Sequence, residues 1–274
     1  MLHTYDGIVI GRREIGENSC FIDILTDERG LIEATAHGAK KMNSALLSSA
    51  SLFAYSTFCL SKNKLRYTVN SAKPKYSFHA LGGDIVKLAL ASYFAQAVKF
   101  CTTSEQRQDA SAKGSDSIVR FFAITLFELL GASERSDNAP ARTLETVRAA
   151  FELRYSSMLG YRPDLAACFN CGCYEPQDGG NMLFLPDRGE LVCPDCFNRE
   201  YDGELEMLTP ETLSAMRNIV YAPLERCFKI NISGEAERRL SRITERYFLR
   251  RTERSFSALD YYKSLMIHSE DTLE

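Results

Sequence analysis

Two Cys-x-x-Cys turns punctuate the second half of this chain: Cys168 and Cys171 in CFNCGC, and Cys193 and Cys196 in CPDC. The 21 residues between Cys171 and Cys193 match the spacing of two-knuckle zinc sites. Such a turn brings two thiolates to one side of an ion, with backbone N–H groups placed to donate to the sulfurs. Two turns complete a tetrahedral Cys₄ set with Zn–S of about 2.3 Å. Gly172 follows the first pair and Pro194 sits inside the second. The intervening LFLPDRGELVC reads as two short strands around a D-R-G turn, returning the second pair to the first. Redox use would call for a βαβ setting around the pair, and none is legible. Catalytic zinc would want an open position and commonly His or carboxylate ligands, and no His lies between His79 and His268. The expectation is one structural zinc on Cys168, Cys171, Cys193 and Cys196. Cys173 is left over as a bystander thiol, because the set is already four-coordinate.

The other cysteines, Cys20, Cys59, Cys101 and Cys227, are scattered among apolar neighbours. In a chain of 274 residues this is not the layout of a small secreted disulfide scaffold. No stretch of 18 consecutive apolar residues suggests a membrane span, and MLHTYDGIVIGRRE lacks the features of a secretory leader. Reduced thiols and a cytoplasmic location are expected. Net charge is −3, so attraction to a polyanion must come from a local patch.

Residues 1–75 read as strands. YDGIVIGRRE starts extended; SCFIDILT places Cys20, Ile22 and Ile24 on one side; LIEATAH follows the DERG turn. After GAKKMNSALLSSA come SLFAYSTFCL, a turn at SKNK, and LRYTVNSA, where Leu65, Tyr67 and Val69 oppose Arg66, Thr68 and Asn70. Five strands with a longer third connection suit an OB-fold barrel closed off by Pro74. The period then becomes helical: 85–100, 116–132, 143–161 opened by Thr143-x-x-Thr146, 209–222 opened by Thr209-Pro210, 233–251 and 256–268. The fold class is therefore α+β and multidomain: an OB-fold barrel over 1–80, a helical domain over 81–163 and 201–274, and an inserted Cys₄ zinc module over 164–200.

Charge is segregated along the barrel sequence. Residues 1–33 hold Arg12, Arg13 and Arg29 against seven acids, whereas residues 34–80 hold Lys40, Lys41, Lys62, Lys64, Arg66, Lys73 and Lys75 and no acid. Such a stretch is suited to neutralising phosphates, since counterion release drives non-specific nucleic-acid binding. Phe53, Tyr55, Phe58, Tyr67, Tyr76 and Phe78 are interleaved with it, as stacking platforms are in single-strand binders. The competing reading is that these rings fill the barrel core. A second basic feature is the stripe Arg238, Arg242, Arg246, Arg250, which Glu235, Glu237, Glu245 and Glu253 could neutralise.

The opening DGIVIGRREIGENSCFIDILTDERGLIEATAHGAKK, the passage FELRYSSMLGYRPDLAACFNCG, the LVCPDC knuckle and the late arginine-rich helix resemble the RecO family of bacterial DNA repair proteins. The likeness runs essentially the whole length in motif order. It implies an OB-fold, a helical domain and a zinc module whose knuckles fall on Cys168, Cys171, Cys193 and Cys196. It also implies binding of single- and double-stranded DNA and annealing of complementary strands. With the partner RecR, such proteins help load RecA onto DNA covered by single-strand-binding protein, whose acidic C-terminal tail they contact. The family's basic barrel surface maps onto Arg12, Arg13, Lys40 and Lys41, with Arg66 beside them; the DNA-binding candidates overall add Lys62, Lys64, Lys73 and Lys75. The resemblance implies no bond-breaking activity.

Two other functional classes compete with this reading, an enzyme and a protein-only adaptor. Neither a P-loop nor a G-x-G-x-x-G turn occurs. A nuclease would want an acidic metal cluster on its DNA face, and residues 34–80 contain no acid. Cys20 with His37 as nucleophile and base has no sequence support beyond residue type. A protein-only adaptor, docking through its zinc module and helices, is the remaining alternative.

Overall fold

The computed structural model describes residues 2–63, 66–102, 117–133, 143–198 and 200–270. The chain divides into two compact units, Met1–Leu130 with Phe256–Glu274, and Gly131–Ser255. The boundary expected at residue 80 falls inside the first.

In the first unit, β1 (Leu2–Ile15), β2 (Ser19–Thr26), β3 (Gly30–Ala36), β4 (Ala54–Asn63) and β5 (Arg66–Ser77) close a barrel in the order β1-β2-β3-β5-β4. Only the β3–β5 pairing is parallel. Alternation decides which side chains turn inward. Cys20, Ile22 and Ile24 from β2 meet Val9, Phe58, Leu60 and Val69 in the core, as the period-two pattern predicts. At Gly7 the β1 backbone comes so close to β2 that a Cβ would lie 2.6 Å from the Ile24 methyl and 2.7 Å from the Leu25 carbonyl. Gly30, at φ 61°, turns β2 into β3. Two strand ends differ from expectation. Ser61–Asn63 of SKNK belong to β4, with Asn63 opposite Arg66, while Lys64 and Leu65 lie outside the described residues. β5 runs past Pro74 to Ser77; the proline sits next to a register shift opposite Tyr55 and Ser56, a place where a strand tolerates a missing N–H.

Helices α1 (Ile85–Thr102), α2 (Ile118–Leu130) and α6 (Ser257–Glu270) complete this unit. Asp84 caps α1 by accepting from the N–H groups of Val86 and Lys87 at 2.9 and 3.1 Å. By length and composition α1 could cross a bilayer, with mean hydropathy 1.2, but half of that window is buried within the fold. Its Tyr93 packs edge-on to Phe256, and Gln96 caps α6 by accepting from Ala258 N–H. Lys99 on α1 donates to the almost fully buried Asp23 of β2 at 2.6 Å, which ties the helix to the barrel wall.

The second unit holds α3 (Leu144–Met158), α4 (Pro210–Tyr221), α5 (Gly234–Thr252) and a small sheet. Its strands are β6 (Asp164–Cys168), β7 (Met182–Leu185), β8 (Glu190–Val192) and β9 (Glu206–Leu208), ordered β6-β8-β7-β9. β9 reaches this sheet from beyond residue 200, the expected edge of the cysteine module. Thr143 and Thr146 form a reciprocal capping box without the usual Glu, each side chain accepting the other's N–H at 3.1 Å. Buried Arg154 donates to the carbonyls of Ile219, Val220 and Ala222. It thereby satisfies acceptors that the end of α4 leaves open.

Candidate metal centre and nucleic-acid interface

The cysteine module follows from its turns. β7 and β8 are antiparallel around a turn closed by Gly189 at φ 72°, and β8 lies parallel to β6, with Leu191 opposite Cys168. That pairing brings Cys193 to the first knuckle. The sulfurs of Cys168, Cys171, Cys193 and Cys196 all lie within 4.8 Å of one another, with Cys171 and Cys193 at 3.7 Å. Cys193 N–H points at the Cys168 sulfur at 3.3 Å. Burial opposes ionisation of Cys168, but N–H groups of Cys171, Cys193 and Asn170 outweigh it and lower its pKa to about 6. The Cys171 thiol is lowered as well, chiefly by the Cys173 N–H. Hydrogen bonding to the Cys171 and Cys193 sulfurs pushes Cys196 up to about 12. Four convergent thiols with amides aimed at sulfur, crowded enough to hold protons back, fit a divalent cation at their centre. Among the described residues this is the one set of three or more His, Cys, Asp or Glu side chains arranged to hold a metal ion. Cys173 stands against its flank, its thiol pushed up to about 12 by hydrogen bonding to Cys171 and by desolvation. The module is anchored by Arg217 of α4, which donates to the carbonyls of Leu165, Ala166 and Tyr174 and lies 3.7 Å from the Tyr174 ring centre.

On the barrel, the cations that are contiguous in sequence are distributed around the wall. Arg12 and Arg13 are neighbours on β1 and so point to opposite faces. Arg13 pairs with Glu33 and lies over Phe21, its register partner on β2. Glu14, on the same side of β1 as Arg12, accepts from Lys40 at 2.8 Å, and Lys40 N–H donates to the Asn18 carbonyl of the β1–β2 turn. Exposed Lys41 follows Lys40. Lys62 and Arg66 mark the β4–β5 turn, with the Lys62 ammonium 5.3 Å from the Tyr67 ring centre. Lys73 lies opposite Thr57, and Lys75 bonds Asp6 at 2.6 Å while lying 5.1 Å from the Tyr55 ring centre. Lys64 lies outside the described residues. Bonding to Lys75 and to Thr57 lowers the pKa of Asp6; Lys40 lowers that of Glu14; Asp6 in turn raises Lys75. Among the described residues Arg12, Lys41, Lys62, Arg66 and Lys73 have no carboxylate within ion-pair distance.

The model matching residues 1–78 describes the N-terminal domain of recombination protein O, and the one matching residues 82–260 its C-terminal domain. The chain belongs to the RecO family. Proteins named DNA repair protein RecO from Symbiobacterium thermophilum and Alkaliphilus metalliredigens are 31% and 27% identical to it. These alignments cover 96% and 97% of this chain and 98% and 100% of the relatives. The protein of that name from Bacillus subtilis is 25% identical over 90% of this chain and 89% of its own. Membership in the family places the chain in DNA repair and recombination.

Phe53, Phe58 and Phe78 are core residues, at most 2% exposed, and cannot stack on a base. Tyr55 and Tyr67 are half-buried, and Tyr76 is 43% exposed. Phe21, half-exposed on the outer wall beneath Arg13, was missed because its own segment is acidic. Cys20 is sealed in the barrel core, whereas exposed His37 faces Ser19, so no nucleophile–base pair forms. The arginine stripe on α5 is largely neutralised, but not by the glutamates of its own helix. Arg242 and Arg246 both grip Glu206 of β9 at 3.0 Å, and Arg250 reaches Asp187 at 2.7 Å and Glu204 at 3.1 Å. Glu237 and Glu245 turn to α3 instead, bonding Thr143 and Arg148.

Proposed function

We propose that this chain is a recombination mediator without bond-breaking activity. It binds single- and double-stranded DNA through the barrel, anneals complementary strands, and with RecR helps load RecA onto DNA coated by single-strand-binding protein. The observation that carries the reading is the set of exposed cations that have no carboxylate partner among the described residues, on a closed five-stranded barrel in a chain of the RecO family. Cations on more than one face of a small barrel screen phosphates of two strands at once, which lowers their mutual repulsion while bases pair. Arg12, Arg13, Lys40, Lys41, Lys62, Lys64, Arg66, Lys73 and Lys75 are the proposed phosphate contacts. RecR and the acidic tail of single-strand-binding protein are the proposed protein partners, and the cytoplasm, at the nucleoid, the site of action.

Cys168, Cys171, Cys193 and Cys196 would hold one zinc ion. Its contribution is a cross-link between the two knuckles; the residues around it fix the β6–β8 register and dock the module on Arg217. The decisive experiment is a gel-shift and annealing series across salt, with and without RecR, on wild type and Lys40→Glu/Lys41→Glu. Affinity should fall steeply with salt, and both affinity and annealing should drop in the variant. A folded variant that anneals as wild type does would refute the barrel assignment. Affinity indifferent to salt would favour the protein-only adaptor.

A further inference from the structure

At the end of the β4–β5 ribbon, aromatic side chains form a ledge that opens to solvent. Phe78 is its floor, 1% exposed. Tyr76 meets it edge-on with ring centres 4.8 Å apart, and Phe127 of α2 does the same at 4.7 Å. Tyr76 and Phe127 touch each other at 4.7 Å, yet remain 43% and 47% exposed. Tyr55 lies opposite Tyr76 in the strand register and carries the Lys75 ammonium 5.1 Å from its ring centre. Lys73 projects from the same stretch of β5.

A single exposed ring on a globular surface needs no explanation. Two large rings held upright by a buried third, bordered by lysines, are a different arrangement. The floor residue fixes both rings in place, so little side-chain entropy remains to be lost on binding. The lysines set the sign of the ligand. A protein segment with an apolar anchor would use the rings and leave Lys73 idle, whereas a single strand uses both, with bases on the rings and phosphates on the ammonium groups. The nearby acids are engaged: Asp6 with Lys75 and Thr57, and Asp84 with the first turn of α1.

We propose that Tyr76 and Phe127 form a base-stacking subsite for single-stranded nucleic acid, whose backbone is held by Lys73 and Lys75. This inference rests on the proposed DNA-binding reading and adds to it a site selective for unpaired bases, since a duplex keeps its π-faces internal.

The chain contains no Trp, so Tyr76→Trp in the full-length protein makes a single reporter. Titration with an oligo(dT) strand should quench its emission saturably, and a blunt duplex should not. Tyr76→Leu/Phe127→Leu keeps apolar volume and removes the π-faces. It should lower oligo(dT) affinity roughly tenfold while leaving duplex affinity and the slope of affinity against salt unchanged. Normal salt-dependent binding by wild type, with no quenching and no loss in the Leu variant, would overturn the subsite while leaving the barrel reading intact. Absence of DNA binding by wild type would overturn both. A blue shift of the Trp emission that grows with protein concentration, without DNA, would assign the ledge to self-association and overturn the proposal.

Discussion

Arg148 offers the sharpest energetic test of how the second unit is held together. Its side chain is 6% exposed and lies between α3 and α5. One terminal nitrogen donates to Glu152 at 3.0 Å and Glu245 at 2.6 Å; the other donates to Glu145 at 2.6 Å and to the Ser241 hydroxyl. Burial opposes its charge, but the three carboxylates hold its pKa above the ordinary arginine value. The carboxylates would not suffer equally from its loss. Glu145 and Glu245 are 28% and 15% exposed and can swing toward water, whereas Glu152 is 0% exposed. In Arg148→Met, the fully buried Glu152 would lose its guanidinium partner while keeping the Thr244 hydroxyl, now at 3.0 Å. Removing one partner of a buried pair costs about 3–5 kcal/mol. For a unit of this size that is a fall in Tm of roughly 12–20 °C, at about 4 °C per kcal/mol. Calorimetry should show this fall in Tm. Adding Glu152→Leu removes the buried carboxylate that had faced Arg148, and the Thr244 hydroxyl still has the Ser241 carbonyl at 3.3 Å. The double variant should recover at least about 2 kcal/mol of the loss, because replacing both partners of a buried pair is far milder than breaking it. A shift under about 4 °C in the single variant, or a double variant no more stable than the single, would refute the reasoning.

Three further outcomes are expected. Metal analysis should return one zinc per chain; Cys168→Ser or Cys193→Ser should abolish it and Cys173→Ser should leave it, so metal loss in the last variant would put Cys173 among the ligands. Asp6, whose pKa is lowered by Lys75 and Thr57, stabilises the barrel at pH values above its unfolded value near 3.8, and this contribution is lost as pH falls through the lower folded value. Asp6→Asn should therefore flatten the acid limb of the barrel's stability below about pH 4, and an unchanged limb counts against the pairing. Glu14→Gln should release Lys40 and tighten single-strand binding at low salt, the gain shrinking as salt rises; equal affinities at low salt would show that Lys40 is available to phosphate despite Glu14.

Local signals in the sequence carried much of the fold. The alternation in SCFIDILT and LRYTVNSA fixes which side chains enter the barrel, because a slip of one residue would turn every one of them outward. Thr209-Pro210 opens α4 and the D-R-G turn folds CPDC back to CFNCGC for equally local reasons. What stayed hidden depends on pairing between distant segments. Nothing in EMLTP marks Glu206–Leu208 as a strand, since three residues carry no usable period, and its place is set by β7. The partners of the α5 arginines were equally out of reach, because i,i+4 spacing suggested glutamates of the same helix, whereas Asp187 comes from the cysteine module and Glu204 and Glu206 from the segment that follows it.

The barrel's charge pattern makes the same point for function. Along the chain, the acids of residues 1–80 all fall in residues 1–33, while residues 34–80 carry seven cations and no acid. The register dissolves that separation. β1 pairs with β4, whose other edge carries β5, so Asp6 reaches Lys75; Glu14 meets Lys40 beside the β1–β2 turn; and Glu33 on β3 takes Arg13. Asp6, Glu14 and Glu33 are themselves exposed, so each of these ion pairs contributes little and is screened by salt. Such pairs are weak enough to be exchanged for phosphate, yet each exchange must first release a carboxylate. Arg12, Lys41, Lys62, Arg66 and Lys73, which have no carboxylate within ion-pair distance among the described residues, need break no such pair. Their single substitutions should therefore cost more affinity than those of Lys40 or Lys75, a ranking that segment composition alone could not supply.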